Sequence, residues 1–251
     1  MTRSRHALKL LGICALALGL MGIAASAASA APPEWMVNNQ NLTTSELLPV
    51  VQVKEIEKLA NGERHAALLA TLLGANIEIL CEEAKLINIH LLPGGLLSHG
   101  KVHFNKCKTY INGEESEACA PYTESEGKIF PELIETRKGE GEIVLHTGEE
   151  AVALLWPLEK TGAFVVILLG EECAAGEELP VVGMLTLKDC NGKFEDEKVE
   201  HLIEETLKST EGGEGLYVFN KAEGHEATLD GSAWVGLVEE HENLTWSGLA
   251  D

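Results

Sequence analysis

The 251-residue chain is poor in aromatic side chains, at 5%, and poor in positive charge, with 19 Lys and Arg against 40 Asp and Glu. The first shortage counts against an outer-membrane barrel, whose strands carry aromatic girdles at both interfaces. Its apolar runs are also not paired with polar lumen faces. The second shortage makes an acidic surface that repels phosphate backbones and anionic lipid headgroups, so neither nucleic acid nor a membrane is an expected partner. No Cys-x-x-Cys pair occurs and the cysteine spacings are wide, which argues against a zinc site. His-Glu-x-x-His, Walker and dinucleotide glycine motifs are missing. So is a Gly-x-Ser-x-Gly nucleophile elbow, which Gly95-Leu96-Leu97-Ser98-His99-Gly100 resembles only in composition. An Asp-rich loop with alternating ligands and a central Gly, the mark of a calcium site, is absent as well. The sequence therefore predicts no cofactor and no metal.

What is present begins with a basic start, Arg3, Arg5 and Lys9, followed by the apolar run Leu10 to Ile23 and the small-residue patterns Ala25-Ser26-Ala27 and Ala28-Ser29-Ala30. That order is a secretory signal peptide over residues 1–30. The run is shorter than the roughly 20 residues a bilayer-crossing helix needs, which disfavours an uncleaved anchor. Leu11-Gly12-Ile13-Cys14 is a poor lipidation site, because Ile13 is large and most of the apolar run follows Cys14. The mature chain is expected to begin near Ala31, outside the cytoplasm: secreted, extracellular or attached to the cell envelope. Without residues 1–30 it keeps 16 Lys and Arg against 40 acids, a net charge of −24. Solubility explains that charge without an acid-specific function. Residues 31–251 suffice for one large β-domain or two small packed ones.

In an exported chain, Cys81, Cys107, Cys119, Cys173 and Cys190 read as a disulfide framework with one residue left over. Cys107 ends the strand Gly100–Lys106, and Cys119 follows the turn Ile111-Asn112-Gly113-Glu114. Both would then flank one hairpin loop, where a bridge is easy. Cys173 and Cys190 follow successive strands; if these pair antiparallel, their ends lie roughly 25 Å apart at about 3.3 Å per residue. The expected bridges are therefore Cys107–Cys119 and Cys81–Cys173, with Cys190 a free thiol. No His or Asn partner makes Cys190 a nucleophile, so it reads as buried and inert.

Most of the mature sequence alternates as strands do. Ile77, Ile79 and Cys81 share one face of Asn76–Cys81, and Val102 and Phe104 point inward from Lys101–Asn105. Ala151–Trp156 and Phe164–Leu169 are continuous apolar runs, expected of strands covered on both faces. Val181–Leu187, Leu216–Phe219, Ala227–Leu229 and Ala233–Val238 follow between Gly signals. Glu63–Leu73 has helical propensity, yet Asn61-Gly62 is a hairpin signal that favours strand. Asp196–Lys208 reads as a helix, with Val199, Leu202, Ile203 and Leu207 at helical spacing and Gly212-Gly213 closing it. The fold class is thus mainly β, an antiparallel sandwich or barrel-like domain or domains with one short amphipathic helix near 196–208.

Among groups that could carry chemistry, His99 and His103 fall on one strand, about 13 Å apart, which does not suit a shared metal. His65, His90, His146, His201, His225 and His241 show no ligand spacing. With 40 acidic residues, any particular carboxylate pair carries no information. Trp35 and Trp246 could stack on a sugar, but residues closing the core at an edge strand are the simpler reading.

Several segments resemble a group of exported proteins of unknown function from high-GC Gram-positive soil bacteria. They include Glu34-Trp35-Met36-Val37-Asn38, Ile79-Leu80-Cys81, Val102-His103-Phe104-Asn105-Lys106-Cys107, Cys119, Gly127-Lys128-Ile129 and Glu172-Cys173. Further along are Lys198-Val199-Glu200-His201-Leu202-Ile203, Val218-Phe219-Asn220-Lys221, Ala227-Thr228-Leu229-Asp230-Gly231-Ser232 and Trp246-Ser247-Gly248. The resemblance implies a signal-bearing, β-rich chain in which four cysteines match and Cys190 departs; it implies no activity or ligand. The expected function is a non-catalytic extracellular or cell-surface β-domain with a binding or structural role, monomeric and with an unknown partner. The alternatives are a secreted hydrolase acting on polysaccharide or peptide through acidic residues, and a metal-storing or calcium-stiffened domain.

Overall fold

The computed structural model describes residues 33–43, 49–56, 66–146, 150–159, 162–187, 200–203, 216–220, 223–231, 233–238 and 241–249. The chain divides into two compact units, Met1–Ala31 and Pro32–Asp251, and all described residues belong to the second.

Alternating apolar residues between turn-forming ones yield the first strands, β1 (Glu34–Val37), β2 (Gln40–Asn41), β3 (Val51–Ile56), β4 (Ala66–Leu72) and β5 (Ala75–Ile87). Next come β6 (Leu91–Leu92), β7 (Leu96–Ile111), β8 (Glu114–Glu115), β9 (Pro121–Ser125), β10 (Lys128–Pro131) and β11 (Leu133–Glu135). They are followed by β12 (Gly139–His146), β13 (Glu150–Pro157), β14 (Ala163–Leu169), β15 (Glu178–Gly183) and β16 (Leu185–Leu187). The last are β17 (Glu200–Ile203), β18 (Leu216–Asn220), β19 (Glu223–Asp230), β20 (Ala233–Leu237) and β21 (Trp246–Leu249). All pairings are antiparallel. Two-residue turns join several neighbours: Asn38-Asn39, Leu73-Gly74, Asn112-Gly113 and Glu126-Gly127 all have positive φ at both positions, the geometry that matches strand twist.

The Ala- and Leu-rich segment is strand over Ala66–Leu72 (β4), because ladders to β5 and β19 on both sides override helical propensity. The hairpin expected with Val50–Leu59 is not among the described pairings, since β3 pairs with β20. The helix expected over 196–208 is corrected where it can be seen. Glu200–Ile203 is β17, paired with β20 from Glu200↔Gly236 to Ile203↔Ala233. The apolar pair Leu202-Ile203 suits either period, and the available ladder decides it. The remaining residues of that segment, like Asn61-Gly62 and Cys190, lie outside the described residues. Among the described residues there is no α-helix, and Glu117–Cys119 forms a 3-10 turn.

The main sheet runs β10-β9-β14-β15-β18-β19-β4-β5-β7-β12-β13-β16, with β6, β8 and β11 also on the long strand β7. Two three-stranded sheets, β2-β1-β21 and β17-β20-β3, complete the fold. The main sheet curls because β15 and β16 are separated by Met184 alone, yet β15 pairs with β14 and β18 while β16 pairs with β13. Covalent continuity draws the far edge of the sheet back to its middle. The curl is antiparallel and barrel-like but is not a barrel closed by hydrogen bonds.

Lys106, with φ 54°, marks a change of inward face along β7, while the β5–β7 register runs through this level unbroken, from Cys81↔Cys107 to Glu83↔Asn105. Val102 and Phe104 face inward before it, whereas Cys107 and Thr109 are buried after it. The partner strand changes parity at the same level, from Ile79 and Cys81 to Ala84 and Leu86.

The four cysteines expected in bridges are bridged, but the expected pairing is wrong. The disulfides are Cys81–Cys107 and Cys119–Cys173. β7 does not end at Cys107; it continues to Ile111, which puts Cys107 directly opposite Cys81 on β5. The β7–β8 hairpin has only the pairs Tyr110↔Glu115 and Ile111↔Glu114, so its ladder stops before it can bring Cys119 to Cys107. Instead β9 pairs with β14 through Leu169↔Pro121, and this carries Cys119 to Cys173.

Candidate functional site

The inward faces of the curl do not fill the space between them. A cavity of about 150 Å³ lies among β4, β5, β7 and β14, bounded by Leu68, Ile79, Ile134, Phe164 and Ile167. A second, of about 200 Å³, extends toward the terminal strands and is bounded by Trp35, Val51, Leu91, Val235 and Trp246. Leu97, Val102, Phe104, Leu155, Leu185 and Leu229 line both, together with Ala66 and Ile89. These shared side chains face inward but are only half-buried, unlike the fully buried Ile79 and Leu91. A native-density core would leave them no free surface. Small inward residues, Ala66 on β4 and Ala84 on β5, line these voids, whereas the space beside Gly100 on β7 is filled by Ile89. At Gly100 a Cβ would come within 2.1 Å of Ile89 Cγ1, so no larger residue fits there.

Few polar groups reach this interior, and most are occupied. Ser98 Oγ donates to Asn88 O at 3.0 Å and accepts from the His90 backbone N–H at 2.7 Å. Thr136 Oγ1 accepts from the Val102 N–H at 2.7 Å. Glu140 accepts from Trp156 Nε1 at 2.7 Å and lies 3.0 Å from His99 Nε2. Asp230 turns back to accept the Gly231 N–H at 2.8 Å. Arg137 is the exception: it borders the first cavity, is exposed, and forms no ion pair among the described residues.

Of the residues singled out from the sequence, Trp35, Trp246 and Cys81 form part of the cavity walls, and His99 and His103 pair with carboxylates. His99 and His103 share β7; the first meets Glu140 and the second lies 2.8 Å from Glu135. Glu135 also receives Lys101, and that hydrogen bond, with the cationic charge beside it, holds its carboxyl below the usual range. Trp35 and Trp246 are buried, not presented to a ligand at the surface. Cys81 borders the first cavity, and Cys107 and Cys119 are also buried. Among the described residues no group of three or more His, Cys, Asp or Glu is placed to hold a metal. The chamber itself escaped sequence reading. Alternation shows which residues point inward but not whether opposing faces meet, and the small residues at 66 and 84 were the available signal.

Fold and chamber together define an antiparallel β-protein curled round an apolar interior. Comparison of the chain with protein-family models, with curated proteins and with solved structures gives no match.

Proposed function

We propose that this is an exported, non-catalytic β-protein whose role is to bind a small apolar molecule at or outside the cell surface. The apolar chamber carries the reading: its half-buried lining retains free hydrocarbon surface that a ligand would cover. A cavity of roughly 150 Å³ lined by aliphatic and aromatic groups is large enough to take benzene. Ser98, Thr136 and Glu140 are held in structural hydrogen bonds, which suits a container better than a reaction site. Export is supported by the signal-like residues 1–30 and agrees with two disulfides, since such bridges persist in oxidising compartments. Kinship with the exported soil-bacterial group belongs to the same proposal. Titration of the oxidised protein with Nile red, an uncharged dye that brightens in apolar surroundings, is the test. Saturable uptake is expected, weakened by Ala66→Phe, which places a ring where both cavities meet. Absence of saturable uptake by a folded wild-type protein would end the reading.

A further inference from the structure

We propose that the chamber holds the hydrocarbon tail of a single-chain anionic amphiphile, a fatty-acid-like carboxylate, with its head group at Arg137. This rests on the apolar-ligand reading above and adds a ligand class to it. The tail is assigned by the lining: both cavities are walled by Leu, Ile, Val, Phe and Trp side chains, and they meet along Leu97, Phe104, Leu155 and Leu229. Their extent, about 150 and 200 Å³, suits one chain and not two. The head group is assigned by elimination among the polar groups at the rim. Ser98 and Thr136 already have backbone partners, and Glu140 is engaged by Trp156 and His99.

Arg137 remains, an exposed residue bordering the cavity, and an arginine's fork of donors matches a carboxylate. Arg137 forms no ion pair among the described residues, so its charge is not already committed to an acid there. It is held in place by its own backbone, whose N–H donates to Phe164 O at 2.6 Å, so the side chain starts beside the Phe164 wall of the cavity. An amphiphile bound this way would bury its tail and leave its head at the surface, where the arginine offsets the repulsion of the acidic exterior.

The test is calorimetric titration of the oxidised full-length exported protein with dodecanoate and with its uncharged methyl ester, below their aggregation limits. The acid should bind about fivefold more tightly than the ester, the margin an exposed charge pair supports. Arg137→Gln should abolish that difference without changing the thermal midpoint, and Ala66→Phe should weaken both ligands. Equal binding of acid and ester, or an acid preference that survives Arg137→Gln, would overturn the head-group assignment while leaving the apolar-ligand reading intact. Failure of both ligands to bind folded protein would remove both proposals. Displacement of bound dodecanoate by a two-chain phosphatidylglycerol, at equal or higher affinity, would overturn the single-chain assignment.

Discussion

Trp35, on the first strand, and Trp246, on the last, meet with their ring centroids 5.7 Å apart and their planes tilted by 53°. β1 and β21 pair through Trp35↔Gly248 and Val37↔Trp246, so the two ends of the described chain close one side of the second cavity. Trp35 also donates its Nε1–H to Leu96 O at 2.8 Å. Replacing Trp246 with Ala should cost about 3–5 kcal/mol, the range for deleting a buried aromatic. Urea unfolding measures it; a loss under about 1 kcal/mol would show that the terminal pair is not part of the core.

Each disulfide closes its own loop, 26 and 54 residues in sequence, without interleaving. Chain entropy assigns them about 3.5 and 4 kcal/mol respectively. Non-reducing digestion should release a Cys81–Cys107 peptide and a Cys119–Cys173 peptide, and a Cys107–Cys119 peptide would overturn the pairing. Cys119→Ala with Cys173→Ala should lower stability somewhat more than Cys81→Ala with Cys107→Ala, before cavity effects at each site are counted.

Thr109 is 1% exposed, and its Oγ1 has no hydrogen-bond partner among the described residues. A buried hydroxyl without a partner carries an uncompensated desolvation cost. Thr109→Val keeps the shape and removes that cost, so stability should rise by about 1 kcal/mol. A fall in the denaturation midpoint would mean that the hydroxyl is satisfied in solution.

Glu135 on β11 lies between Lys101 and His103 of β7. Its folded pKa is depressed, chiefly by the Lys101 hydrogen bond. Such a group contributes its stability above the unfolded carboxyl value, about 4.3, and loses it as pH falls through the lower folded value. Glu135→Gln should therefore cost on the order of 0.5–1 kcal/mol near neutrality and almost nothing at strongly acidic pH. Thermal midpoints of the two proteins measured from pH 7 downward should converge; parallel curves would contradict the ion pair.

Leu73 occupies the first position of the β4–β5 turn at φ 52° and is 69% exposed. A leucine there bears the left-handed strain of roughly 1–2 kcal/mol without burial in return. Leu73→Asn should stabilise the protein by about 1 kcal/mol, read as a higher thermal midpoint.

Much of the local structure is legible in residue order. Alternation identifies Ile77, Ile79, Cys81, Val102 and Phe104 as inward, and the segments Asn76–Cys81 and Lys101–Asn105 lie within the longer strands β5 and β7. Asn112-Gly113 is a turn because both positions require positive φ. Four cysteines are recognisable as bridge-forming. By contrast, Glu200–Ile203 carries apolar residues compatible with either period, and only the ladder to β20 makes it a strand.

What the sequence by itself determined is therefore local: which segments extend, which side chains share a face, where the chain turns, and that its cysteines suit an exported framework. These follow from two-residue periodicity and turn chemistry, which act between near neighbours. Tertiary structure alone decided which cysteines pair, because the length of the β7–β8 ladder and the β9–β14 register set that outcome. It also decided that the sheet curls through Met184 and that its inward faces stop short of contact. A chamber is a distance between surfaces far apart in sequence, and that distance is set only when all the strands round the curl have taken their register.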